Sequence, residues 1–144
     1  MTELEVGFIV EGHGDIKAVP ALFRRVAGIE CPGLLVITRE VIRVSRDTIG
    51  VALAHHEFES WFLAGAESLA GFRDLQADLK CPTEPEKVRG AKEWLSQRMT
   101  RPYRETTDQE LLAKRIDLTL ARRARSFDKF YRESARLCGE ALRA

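Results

Sequence analysis

Long apolar runs are missing from this chain of 144 residues, and none approaches the roughly 20 residues needed to cross a bilayer. The N-terminus has no basic region leading into an apolar stretch, so no secretory signal is expected and a cytoplasmic location follows by default. Only three cysteines occur, Cys31, Cys81 and Cys138. Their odd number and lack of metal-type spacing argue against a zinc framework or disulfide scaffold and predict reduced thiols. Repeats, low-complexity tracts, a Walker-type loop and a serine or cysteine nucleophile motif are all absent. His56-Glu57 does not begin a zinc HExxH motif, because Ser60 stands where the second histidine is required.

What is present suits one domain, long enough to bury roughly two-thirds of its unfolded surface. The net charge of +1 hides an asymmetry between the two parts of the chain. Residues 1–86 carry 8 Lys/Arg against 14 Asp/Glu, whereas residues 87–144 carry 15 against 8. An acidic part able to collect metal next to a basic part able to meet phosphates suits a nucleic-acid enzyme, although basic helices also serve simply as solvated faces.

Leu4 to Val10 is short, apolar and branched, the pattern of a central strand buried on both faces. From Asp15 to about Ala27, the spacing of Ile16, Val19, Leu22, Phe23 and Val26 predicts a helix. Pro20 should kink that helix or mark its first turn, and Gly28 should end it. Gly33 to Val44 reads as extended, and Val51 to Ala54 as strand-like again. Parallel neighbours need a crossover of about a dozen residues. The short loop after Val44 therefore predicts either an antiparallel hairpin or a seam near Ile49-Gly50 where residues are missing.

A helix is expected from about Glu57, with Phe58, Trp61 and Phe62 toward the core and Gly65 interrupting it. Gly71 to Pro85 reads as irregular. Glu86 to Met99 should be helical, Asp108 to Ala124 should form two short helices broken near residues 115–117, and a last helix should begin at an N-cap, Ser126. Its stripe runs through Phe127, Phe130, Tyr131, Ser134, Leu137, Cys138, Ala141 and Leu142. The expected class is α/β: a small, mostly parallel sheet in residues 1–64 and a helical extension in residues 86–144.

Glu11 follows the first strand, and Asp15 stands one turn later, where an open α/β sheet gathers its ligands. Gly12 and Gly14 between them can adopt φ > 0 and admit a ligand to the backbone. Glu57 and Glu59, beside His55 and His56, should lie at the same end of the sheet, as oxygen ligands of a hard cation would. Acids in a first helical turn are also stabilised by the helix dipole alone. Arg122, Arg123 and Arg125, together with Arg46 and Lys92, are the candidate phosphate contacts.

The run Val10-Glu11-Gly12-His13-Gly14-Asp15, followed roughly forty residues later by HHEFESWFLA from His55 to Ala64, resembles an uncharacterised bacterial family with a Toprim-like fold. Toprim is the small Rossmann-like α/β domain of topoisomerases, primases and overcoming-lysogenization-defect nucleases. The resemblance implies a Mg²⁺- or Mn²⁺-dependent nuclease that works beside a partner ATPase. Glu11 would be its general acid/base, Asp15 would orient Glu11 or complete the metal shell, and Glu57 and Glu59 would add ligands. The family's Asp-x-Asp strand has no counterpart in this chain. A non-catalytic module binding nucleic acid or protein is therefore the second expectation. A small-molecule phosphate site on the Gly12–Gly14 turn is the third, and Asp15 opposes it by charge.

Overall fold

The computed structural model describes residues 1–10, 12–40, 54 and 57–144. Glu11, Arg46, His55, His56 and the expected seam near Ile49-Gly50 lie outside the described residues, as do the extended segments expected over 41–44 and 51–53.

Two strands, β1 (Glu3–Phe8) and β2 (Leu35–Glu40), pair in parallel in the register Glu3 with Leu35 through Phe8 with Glu40. Helix α1 (Asp15–Glu30) connects them, which makes a β-α-β unit. The helices α2 (Ser60–Ala64), α3 (Ala66–Leu69), α4 (Ala91–Gln97), α5 (Glu105–Arg115), α6 (Leu118–Ala121) and the long α7 (Arg125–Arg143) follow, with a 3-10 turn at Pro85–Lys87 before α4. The α/β class expected from the sequence is the one found. Among the described residues no helix is long and apolar enough to cross a membrane.

Strand β1 is not buried on both faces. Leu4, Val6 and Phe8 are half-buried toward the helices, while Glu3, Glu5 and Gly7 are exposed. The period-two alternation of a one-sided strand was already present in Glu3, Glu5 and Gly7. Phe8 meets Phe23 of α1 edge to face, 5.4 Å between centroids.

Helix α1 buries Ala18, Ala21, Leu22, Phe23, Val26 and Ala27, leaving Ile16 exposed and Val19 only partly covered. Both α5 and α7 pack against it. Pro20 lies inside the helix, where its missing N–H removes one bond to the first turn without ending it. Gly28 does not terminate it either, because α1 runs on to Glu30.

The aromatic motif and the last helix meet. Trp61 lies 5.2 Å from Phe127 and 5.3 Å from Phe130 between centroids, with the Phe58 ring tilted against it at 4.8 Å. Its indole N–H donates to Ser126 Oγ at 2.8 Å. Ser126 is thus not the N-cap: Ala124 holds that place, and the serine is used to satisfy a buried indole. On α7 the stripe is buried at Phe127, Phe130, Tyr131, Ser134 and Cys138 and half-buried at Leu137, but Leu142 is exposed at the helix end.

Between α2 and α5 the chain is mostly turns, and the helix expected over Glu86–Met99 is shorter, because Gly90 takes φ 71° at its start. The break near residues 115–117 is present between α5 and α6.

Gly65 separates α2 from α3 for lack of space: a Cβ there would lie 2.5 Å from Cγ1 of buried Ile116. Gly28 has nothing within 4 Å of such a Cβ. Gly65→Ala should therefore cost about 1–3 kcal/mol through overpacking. Gly28→Ala should instead stabilise α1 by about 0.5–1 kcal/mol through the unfolded chain's entropy. Urea unfolding of the two variants checks the opposite signs.

Candidate functional site

Beyond the end of β1, four separate parts of the chain converge on a cleft of about 450 Å³. Its wall combines His13 and Asp15 from the turn into α1, Glu57 and Glu59 from the segment before α2, Lys92 from α4, and Glu105 and Gln109 from α5. The sequence expected Asp15, Glu57 and Glu59 at one edge, and the structure brings these three together. It does not bring Arg122, Arg123 or Arg125 to the same place, since none of them lines the cleft.

The glycine turn works differently from expectation. Gly14 has φ −66° and is helical, and the positive-φ glycines among the described residues are Gly33, Gly71 and Gly90. Conformational freedom is therefore not what Gly12 and Gly14 supply. They supply room, because a Cβ on Gly12 would lie 2.7 Å from Glu105 Oε1 and one on Gly14 1.9 Å from Gln109 Oε1. Glu105 and Gln109 are four residues apart and share one face of α5. That face fits over the turn.

Each acid has its own environment. Asp15 Oδ1 accepts from Gln109 Nε2 at 2.8 Å, and Oδ2 accepts from Gly12 N at 3.2 Å. Glu57 Oε2 accepts the backbone N–H of Lys92 at 3.1 Å, at the start of α4. Lys92 Nζ holds Glu105 Oε2 at 2.6 Å, and that bond raises the ammonium's pKa above its ordinary value. Lys92 is thus the cleft's cation rather than a residue on the outer face of its helix.

Glu59 is 1% exposed, and its Oε1 accepts from Tyr103 OH at 3.1 Å and from Gln109 Nε2 at 3.4 Å. Burial pushes its carboxyl up to about 7, against the smaller opposing pulls of its own backbone N–H, Lys92 and Tyr103. Burial and the neighbouring Glu59 push the Tyr103 phenol up as well, which keeps it a hydrogen-bond donor. Glu59 is therefore able to exchange a proton near neutral pH, as an acid/base group must.

A second buried carboxyl, Asp108 on α5, shows the contrasting case. Burial opposes its ionisation, but Arg101, the Arg104 N–H and Arg73 outweigh that and hold it below the ordinary carboxylate range. Arg101 contacts both of its oxygens, at 2.8 and 2.7 Å. Two buried carboxyls are thus driven apart by their partners, a difference that commonly separates working acids from structural ones.

The basic cluster at the α6–α7 junction is engaged with neighbouring acids. Arg122 pairs with Asp128 at 2.6 Å and lies over the Tyr131 ring, and Arg123 pairs with Glu67 at 2.9 Å. Arg125 is exposed. Tyr103, Glu105 and Gln109 were missed in the sequence. Their only local signal is the four-residue spacing of Glu105 and Gln109, which carries no information about Asp15, 94 positions away from Gln109.

The raised Glu59 carboxyl has a consequence for stability. A folded-state value near 7 against an unfolded value of 4.5 means that the folded protein binds the extra proton. Glu59's contribution is complete below about pH 4.5, falls as pH rises toward 7, and is gone above it. Glu59→Gln should remove this slope, so that its stability relative to the parent rises by about 3 kcal/mol between pH 4.5 and pH 8. Urea unfolding of both proteins across that range measures the difference.

Comparison with curated proteins and with solved structures returns no match to either. Residues 36–133, more than half of the chain, match the family described as Domain of unknown function (DUF4276). The region includes Glu57, Glu59, Lys92, Glu105 and Gln109, and leaves the turn with Asp15 outside it; the chain belongs to this family.

Proposed function

We propose that the cleft carries out divalent-cation-assisted hydrolysis of a phosphodiester, as a Toprim-like nuclease would. The observation that carries this reading is the convergence of Asp15 with Glu57 and Glu59, from two motifs far apart in sequence, on one open cleft. Oxygen donors of this kind suit Mg²⁺ or Mn²⁺. Among the described residues no three His, Cys, Asp or Glu side chains are grouped as a metal cage. Mg²⁺, however, is commonly held by one or two carboxylates, with water and substrate phosphate completing its shell. Asp15 and Glu57 meet that lesser requirement, since each bonded carboxylate oxygen keeps a second lone pair.

When bound, the cation would offset the negative charge that develops on the transferring phosphoryl group. The chain's own residues would do the rest. Lys92 provides a positive group that a phosphate can compete for against Glu105. Glu59, sealed from water, holds or releases a proton near neutral pH. Glu11 is the general acid/base by the resemblance of its motif.

One observation favours a second reading. With no Asp-x-Asp strand and no three-ligand group among the described residues, the protein would bind nucleic acid or a partner ATPase without cutting anything.

Incubation with single-stranded DNA, double-stranded DNA and RNA in Mg²⁺ or Mn²⁺ separates the two. Hydrolysis should disappear with a chelator and fall by roughly 10²–10⁴-fold in Glu11→Gln, the usual contribution of an acid/base group. Binding should weaken as salt rises. Cleavage that persists in Glu11→Gln or in chelator overturns the hydrolytic reading, and salt-sensitive binding without cleavage selects the second.

A further inference from the structure

Gln109 is 1% exposed and has an unusual set of partners. Its amide nitrogen donates to Asp15 Oδ1 at 2.8 Å and reaches Glu59 Oε1 at 3.4 Å, so a single group touches one acid from each of the two motifs. Its carbonyl oxygen is buried with no hydrogen-bond partner and lies where a Cβ of Gly14 would stand. Exchanging the amide's nitrogen and oxygen would not help, because it would set an acceptor against the Asp15 oxygen that now accepts at 2.8 Å.

Leaving a buried carbonyl unpaired is unfavourable, and an apolar side chain of the same shape would avoid it. If the position served packing alone, leucine or methionine would be the better residue. What glutamine adds is the donor. The turn is shaped to receive it: Gly14 must lack a side chain because Gln109, fully enclosed, has nowhere to move, whereas the half-buried Glu105 opposite Gly12 can swing aside.

The geometry points to Gln109 as the positioning residue of the cleft: wedged against Gly14, its amide fixes where the Asp15 carboxylate stands and ties it to Glu59. Helix α5, and not the backbone of the glycine turn, then sets the orientation of Asp15. This inference rests on the hydrolytic reading of the cleft, and it names a residue that neither motif contains. Gln109 acts through Asp15 and need not contact substrate. Its loss should therefore slow turnover without weakening nucleic-acid binding.

The test uses four variants of the full chain. Gln109→Leu keeps size and removes the donor. It should retain the parent's melting temperature or exceed it, yet lower kcat for Mg²⁺-dependent cleavage by about 10–100-fold, the usual effect of losing a residue that orients a ligand. KM for the nucleic acid should stay near the parent value, because the lost interaction is not a binding contact. Gly14→Ala should reproduce the defect by displacing the amide. Placed on Gln109→Ala, which empties the slot, Gly14→Ala should add nothing further.

A Gln109→Leu protein that turns over like the parent, or additive losses in the double variant, overturns the inference. Should the parent itself cleave nothing, the hydrolytic reading fails, and Gln109 is judged separately by isotope-edited NMR of its side-chain amide. Slow solvent exchange, together with a resonance that moves in Asp15→Asn, supports the positioning role. Free exchange and an unmoved resonance overturn it.

Discussion

Glu59 is a carboxyl sealed at 1% exposure at the start of α2, and transferring such a group from water is expensive unless it stays neutral or finds donors. The helices around it supply both remedies. Tyr103, just before α5, and Gln109, within α5, both donate to Oε1. Burial keeps the carboxyl neutral up to about pH 7. The position of α5 thus follows from this group as much as from its apolar face, which contributes Leu112 and Ala113 to the core. With α5 in place, Gly14 has to be bare and Asp15 has a fixed partner.

A second constraint lies on the opposite side of the same motif. Trp61 follows Glu59 by two residues and turns the other way, into Phe127 and Phe130 of α7. One short segment therefore places an acid at the cleft and an aromatic anchor in the core. Rigid burial on one side gives the other side a fixed geometry, which is how a site gains precision from a scaffold element. The same segment lies within the region shared with the DUF4276 family.

Charge is distributed less simply than the acidic and basic parts of the chain suggest. Arg101 and Arg73 surround Asp108, Arg123 meets Glu67, and Arg122 meets Asp128. Much of the positive charge beyond residue 86 therefore lies against acids. Among the described residues predicted as phosphate contacts, Lys92 alone stands in the cleft, already paired with Glu105.

Local patterns in the sequence determined a good deal. The β-α-β unit, the aromatic stripe of α7 and the break between α5 and α6 all followed from periodicity and turn chemistry. Those features depend on residues close together in the chain, where spacing translates directly into geometry. Errors arose where a distant partner decided the outcome. Ser126 resembled a cap until Trp61 claimed its hydroxyl, and Gly14 resembled a flexible turn until Gln109 filled the space above it. Glu59 stands two residues from Glu57 in the sequence, and nothing nearby in the chain announced the burial beneath Tyr103 and Gln109 that pushes its carboxyl up. Desolvation and close packing depend on what the rest of the chain places around a residue. No local pattern of residue types contains them, and tertiary structure alone decided them.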